Sequence, residues 1–134
     1  MPALDTNVLV RYIVQDDSGQ LAVARRLIER CIAEGQPLYV PVTVTLELEW
    51  VLRARFGYAK DDVLQVLSNL FSAAELTFES ERPLEVALQL YREGSAEFAD
   101  CLHIALAAQA GEQPLWTFDK AAAKVAGAQL IRSR

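Results

Sequence analysis

Asp5, Glu47, Asp100 and Asp119 are the residues of this sequence whose type and placement could do chemistry. Asp5 interrupts an apolar stretch, PALDTNVLV at residues 2–10, with no Gly at the break to make a turn, so the break reads as a strand end followed at once by a helix. Asp119 follows the apolar run LWTF in the same way. On a helical wheel Glu47 falls between Val51 and Ala54, in an arc that also holds Trp50, whereas Glu49 falls beside Arg53 as an i,i+4 ion pair. Glu47 is therefore expected to face the interior and Glu49 the solvent. Asp100 stands in the first turns of a helix that is apolar nearly all round, between Ile104 and Ala107 on the wheel, where an uncompensated anion is costly.

Carboxylates that converge cannot all stay ionised unless something positive sits among them. Oxygen donors select hard ions, chiefly Mg²⁺ or Mn²⁺, which acidify a bound water, orient it against a phosphodiester and stabilise the leaving oxygen. Metal-assisted phosphodiester hydrolysis is the chemistry these four acids suit. Each also has a plainer reading: Asp5 and Asp119 as helix caps, Glu47 and Asp100 as surface acids, a role the wheel makes less easy for them. His103 is tempting but reads as a hydrogen-bonded core or rim residue, and Glu97, one turn before Asp100, reads first as a residue favoured by a helix N-terminus and second as a peripheral ligand.

Short apolar runs alternating with helical patterns must position these acids. Pro2–Asp5 reads as a strand and residues 7–15 as a helix. Asp16, Asp17 and Ser18 offer a start signal for a helix over 21–33 that stops at Gly35. PLYVP is a brief strand, helices follow over 43–56 and 60–73, ended at Gly57 in the first case, and Leu76–Phe78 is a second strand. Pro83 suits the first turn of a helix to Arg92, broken at Gly94. A helix over 96–110 ends at Gly111, then come a strand over 115–118, an Ala-rich helix over 121–126 and a last strand over 129–131. This alternation implies an α/β fold with a short, mainly parallel sheet covered on both faces. In such a sheet ligands bind at the carboxyl ends of strands, where Asp5 and Asp119 fall.

At 134 residues, without linker, repeat or low-complexity tract, the chain reads as one domain over residues 1–134. No apolar run is long enough for a membrane span and no secretory signal is visible, so the cytoplasm is the expected location. Cys31 and Cys101 are too few for a disulfide framework and read as buried thiols. The net charge of −5 argues against tight non-specific nucleic-acid binding, although a bound divalent metal or a local basic surface would restore it. Arg25, Arg26 and Arg30 form such a stripe, and Arg53, Arg55 and Lys60 recur later; all read first as solvated faces and second as phosphate contacts. Tyr12, Trp50 and Phe56 could serve as core or as contact surface.

Four stretches in order, LDTNVLVRYIV, TLELEWVL, FADCLHIALA and WTFDKAAAK, make the chain resemble the PIN-domain family, in particular its VapC-like toxin ribonucleases. The resemblance covers essentially the whole chain. It implies an α/β/α sandwich and an Mg²⁺- or Mn²⁺-dependent endoribonuclease whose metal is held by Asp5, Glu47, Asp100 and Asp119, the last directly or through water. It further implies an RNA substrate, a homodimer and a cognate antitoxin. Thr6 or Asn7 would brace Asp5, with Asn7 as a cap-like residue at the helix start, and the Thr117 hydroxyl would line the site. Two other classes compete. A signalling receiver domain needs an acidic pair after its first strand, where Asp5 stands alone. An inactive protein-binding scaffold would be expected to have lost an acid, and none is missing.

Overall fold

The structure, a computed structural model, describes residues 1–15 and 18–132. Asp16 and Asp17, read above as part of a helix start, lie outside the described residues. The described elements run α1 (Thr6–Val14), α2 (Ser18–Ala33), β1 (Leu38–Val40), α3 (Val42–Ala54), α4 (Lys60–Phe71), β2 (Leu76–Phe78), α5 (Glu81–Glu93), α6 (Phe98–Gln109), β3 (Leu115–Thr117), α7 (Lys120–Ala123) and β4 (Ala128–Leu130). They fall into two compact units, Met1–Glu79 and Ser80–Arg134.

In the first unit, β1 and β2 pair in parallel, Leu38 opposite Leu76 and Val40 opposite Phe78, with α3 and α4 forming the crossover between them. Period-two alternation buries Leu38 and Val40 and leaves Tyr39 half-buried. The expected first strand is reduced to a single parallel bridge, Ala3 to Tyr39. Two hydrogen bonds hold it, Leu4 N–H to Tyr39 O at 2.9 Å and Tyr39 N–H to Pro2 O at 2.8 Å, before the chain turns into α1. Helical spacing supplies the rest of the core: Ala24, Ile28 and Cys31 from α2, Leu48 and Leu52 from α3, Val63 and Leu67 from α4. Each fully buried Leu, Ile or Val among them contributes about 1.5–3 kcal/mol of transfer free energy.

In the second unit, β3 and β4 pair in parallel, Leu115 opposite Ala128 and Thr117 opposite Leu130. The stripe Leu84, Ala87, Leu88 and Tyr91 of α5 packs with α6, where Phe98 meets Tyr91 edge-to-face at 5.6 Å between ring centres. Phe98, Cys101, Leu102, Ile104 and Ala105 are buried, in keeping with the apolar reading of this helix. Cys31 and Cys101 are free, buried thiols, as expected. The α/β class and the parallel pairing hold, and the strands form two pairs among the described residues.

Helix ends follow the glycines. Gly35 and Gly111 adopt φ of +68° and +75°, the left-handed conformation that lets a chain leave a helix without a Cβ penalty. Gly94 ends α5 differently, in extended conformation, with its N–H donating to Leu90 O.

Candidate active site

Asp5 is the N-cap of α1. Its backbone is extended (φ −91°, ψ 175°) and its Oδ1 accepts from Val8 N–H at 3.1 Å, so the strand end and the cap together fix the carboxylate while Oδ2 stays out of the cap. The cap was expected of Asn7, which is instead exposed within the first turn; Asp5 takes the role because it immediately precedes the first helical residue. Thr6 is buried directly behind it. Asp119 repeats the arrangement in the second unit. It caps α7 through Oδ1 to Ala122 N–H at 2.8 Å, and its own N–H donates to Thr117 Oγ1 at 3.0 Å. Thr117 is half-buried and orients the loop that carries Asp119.

The two glutamates of α3 exchange the places expected of them. Glu49 is only 2% exposed, and Glu47 is exposed. The buried face of α3 is set by Thr45, Leu48, Glu49 and Leu52, so the arc of Trp50, Val51 and Ala54 that was to draw Glu47 inward lies on the opposite side, with Trp50 51% exposed. Apolar residues occur all round this helix, and the wheel alone had no basis for choosing between its faces. The expected pairing does form: Arg53 Nε donates to Glu49 Oε2 at 2.9 Å and Nη2 to Oε1 at 3.4 Å. That bond makes burial of the Glu49 charge tolerable.

Asp100 occupies the first turn of α6 and is half-buried, near the positive end of the helix dipole. His103 and Glu97 are exposed, and Glu97 precedes α6 without a side-chain capping bond. Among the described residues, the Glu47 and Asp100 side chains make no hydrogen bond or ion pair.

A carboxylate that sequence reading passed over is Glu79, at the carboxyl end of β2. Its N–H donates to Val40 O at 3.0 Å, and its Oε1 accepts from Val42 N–H at 2.8 Å, capping α3, whose own N-cap residue, Pro41, has no side chain able to do so. Partial burial first, then the charge and hydrogen bond of Glu79, raises the Tyr39 hydroxyl above its usual value of 10.0. The rule that ligands gather at strand ends would have flagged Glu79 had it been applied to glutamate after LTF as well as to aspartate.

Between α1 and α2 runs a groove of about 540 Å³ walled by Val8, Val23, Ala24 and Leu27, with Asp5 and Arg11 among its polar lining. Of the basic residues considered for phosphate contact, Arg25, Arg26, Arg30 and Arg55 are exposed, while Arg53 is tied to Glu49.

Among the described residues, no three His, Cys, Asp or Glu side chains gather as a group that could hold a metal ion. Taken one by one, the acids are oxygen donors of the kind hard ions prefer. Asp5 and Asp119 each commit one oxygen to a cap and keep the other, and Glu47 and Asp100 are uncommitted.

The PIN domain family model matches residues 3–128. A VapC ribonuclease of Aquifex aeolicus (strain VF5) is 23% identical over 120 residues, which cover 90% of this chain and 88% of that protein. The family match takes in all four acids and every element that carries them, and on that ground the chain belongs to the PIN-domain family.

Proposed function

We propose that the chain is a metal-dependent endoribonuclease, working as a single domain over residues 1–134 and acting as the toxin of a type II toxin–antitoxin pair. The observation that carries this reading is the family match over residues 3–128, within which Asp5, Glu47, Asp100 and Asp119 all fall. Similarity to a protein named VapC ribonuclease supports RNA as the substrate.

In this reading Asp5, Glu47, Asp100 and Asp119 would be the ligands of Mg²⁺ or Mn²⁺. Such an ion would supply an acidified water and charge stabilisation at the leaving oxygen of a phosphodiester. The chain's own contribution is aim. Val8 N–H holds Asp5 and Ala122 N–H holds Asp119, so each carboxylate is oriented before substrate arrives, while Glu47 and Asp100 come from firmly packed helices. Exposed Arg25, Arg26, Arg30 and Arg55 are available to RNA phosphates. The groove between α1 and α2 has Asp5 in its lining, so an antitoxin segment seated there would cover that acid. A homodimer and a cytoplasmic location complete the reading. No described helix is long and apolar enough to cross a membrane.

The test is incubation of the purified, partner-free chain with total cellular RNA, with Mg²⁺, with Mn²⁺ and with chelator, beside Asp100→Asn. Discrete fragments that require metal and vanish in the variant are expected. A folded chain that cleaves nothing with either metal would overturn the reading and leave an inactive binding scaffold in its place.

A further inference from the structure

Trp116 lies at the centre of β3, yet its side chain is 57% exposed, and Phe118 just beyond the strand is 78% exposed. Strand alternation accounts for the placement: Leu115 and Thr117 turn to the half-buried face, and Trp116 stands on the other, opposite Gln129 of β4. Trp116, Gln129, Leu130 and Arg132 line one open cavity of about 380 Å³. The composition around it is unlike the rest of the chain. From Gln113 to Arg132 the sequence carries one acid, Asp119, against three bases, Lys120, Lys124 and Arg132, in a chain whose net charge is −5.

We propose that the exposed face of the β3–β4 pair binds single-stranded RNA, a base stacking on the Trp116 indole while Arg132 takes a neighbouring phosphate. This inference rests on RNA being the substrate and adds to that reading where the strand lies. An exposed indole beside a guanidinium is the pairing that holds unstacked bases, because every base offers a π-face and every linkage a negative charge. Gln129, whose amide both donates and accepts, stands where a base edge would come. Asp119 is three residues beyond Trp116, so a strand held here arrives close to one of the four acids. A second copy of the chain fits this face less well. A two-fold contact through it would bring the Arg132 side chains of both copies together, like charge against like.

The chain has two tryptophans, Trp50 and Trp116, so Trp50→Phe leaves Trp116 as the reporter. The probe is an unstructured oligoadenylate, and the Asp100→Asn change is added with chelator so that cleavage does not consume it. Quenching of Trp116 fluorescence on titration is expected. In the chain that keeps Trp50, Trp116→Ala should weaken binding of a labelled probe by about tenfold, with Trp116→Phe restoring most of it. Arg132→Gln should flatten the slope of log affinity against log salt by about 0.7, the share of one single-strand phosphate contact. Equal affinity of Trp116→Ala and the parent would overturn the inference, as would a change of oligomeric state in that variant with binding per chain unchanged. Because binding is read apart from cleavage, a parent that cleaves RNA while Trp116→Ala binds normally sinks this inference alone. A chain that binds through Trp116 but never cleaves sinks the nuclease reading alone.

Discussion

Replacing Glu47, Glu49 and Arg53 in turn separates two roles that adjacent turns of α3 have divided. Glu49 is 2% exposed and receives Arg53 Nε at 2.9 Å, so Arg53→Met removes this charged partner from a buried carboxylate. Removing one member of a buried pair costs about 3–5 kcal/mol, but the Arg53 side chain is 36% exposed and water can reach the vacated edge, so about 2–3 kcal/mol is expected. For a chain of 134 residues each kcal/mol moves the midpoint by about 3–4 °C, giving a fall of about 6–12 °C. Glu49→Gln keeps the shape and an oxygen for Arg53 and gives up charge assistance, a loss of about 1 kcal/mol. Glu47→Gln changes an exposed side chain and should leave stability within about 0.5 kcal/mol. It should nonetheless lower metal-dependent cleavage by about a hundredfold or more, since residues that only support metal ligands already cost about tenfold to a hundredfold. Thermal unfolding and cleavage of a fluorogenic RNA, measured on the same preparations, give both axes. If Glu49→Gln abolished cleavage at an unchanged midpoint while Glu47→Gln cleaved normally, the assignment would be wrong and Glu49 would be the site residue.

Asp5→Asn should retain the α1 cap, since Asn caps as well as Asp, and lose cleavage; Asp5→Ala should lose cleavage and about 1 kcal/mol of stability besides, read by urea denaturation. Tyr39 holds its proton more tightly folded than unfolded, so its contribution is intact below pH 10.0 and is lost as pH rises through the raised folded value. Tyr39→Phe should therefore weaken the alkaline decline in stability, and a decline of unchanged steepness would refute the assignment to this group. Glu79→Ala removes the acceptor for Val42 N–H and should cost about 1 kcal/mol while bringing the Tyr39 titration back down, followed by ultraviolet absorbance. Phe98→Ala, at a fully buried position packed edge-to-face against Tyr91, should cost about 3–5 kcal/mol in the same denaturation assay.

The sequence by itself determined the order and kind of the elements, because period and punctuation are local properties. Every expected helix appears within a few residues of its expected bounds, and Leu76–Phe78 appears as read. It also determined that Asp5 and Asp119 sit where strand gives way to helix, and that Glu49 pairs with Arg53, since both follow from spacing along the chain. Tertiary structure decided what spacing leaves open. A helix apolar on all sides, such as α3, has no face marked for burial until its neighbours choose one, and they chose Glu49 over Glu47. The first strand shrank to one bridge because its length depends on how soon the chain must turn into α1, and the cap fell to Asp5 rather than Asn7 for the same reason. Glu79 reaches α3 across 37 positions of sequence, and Trp116 is exposed because its strand turns its other face inward. Both facts belong to packing between distant segments, which no local pattern encodes.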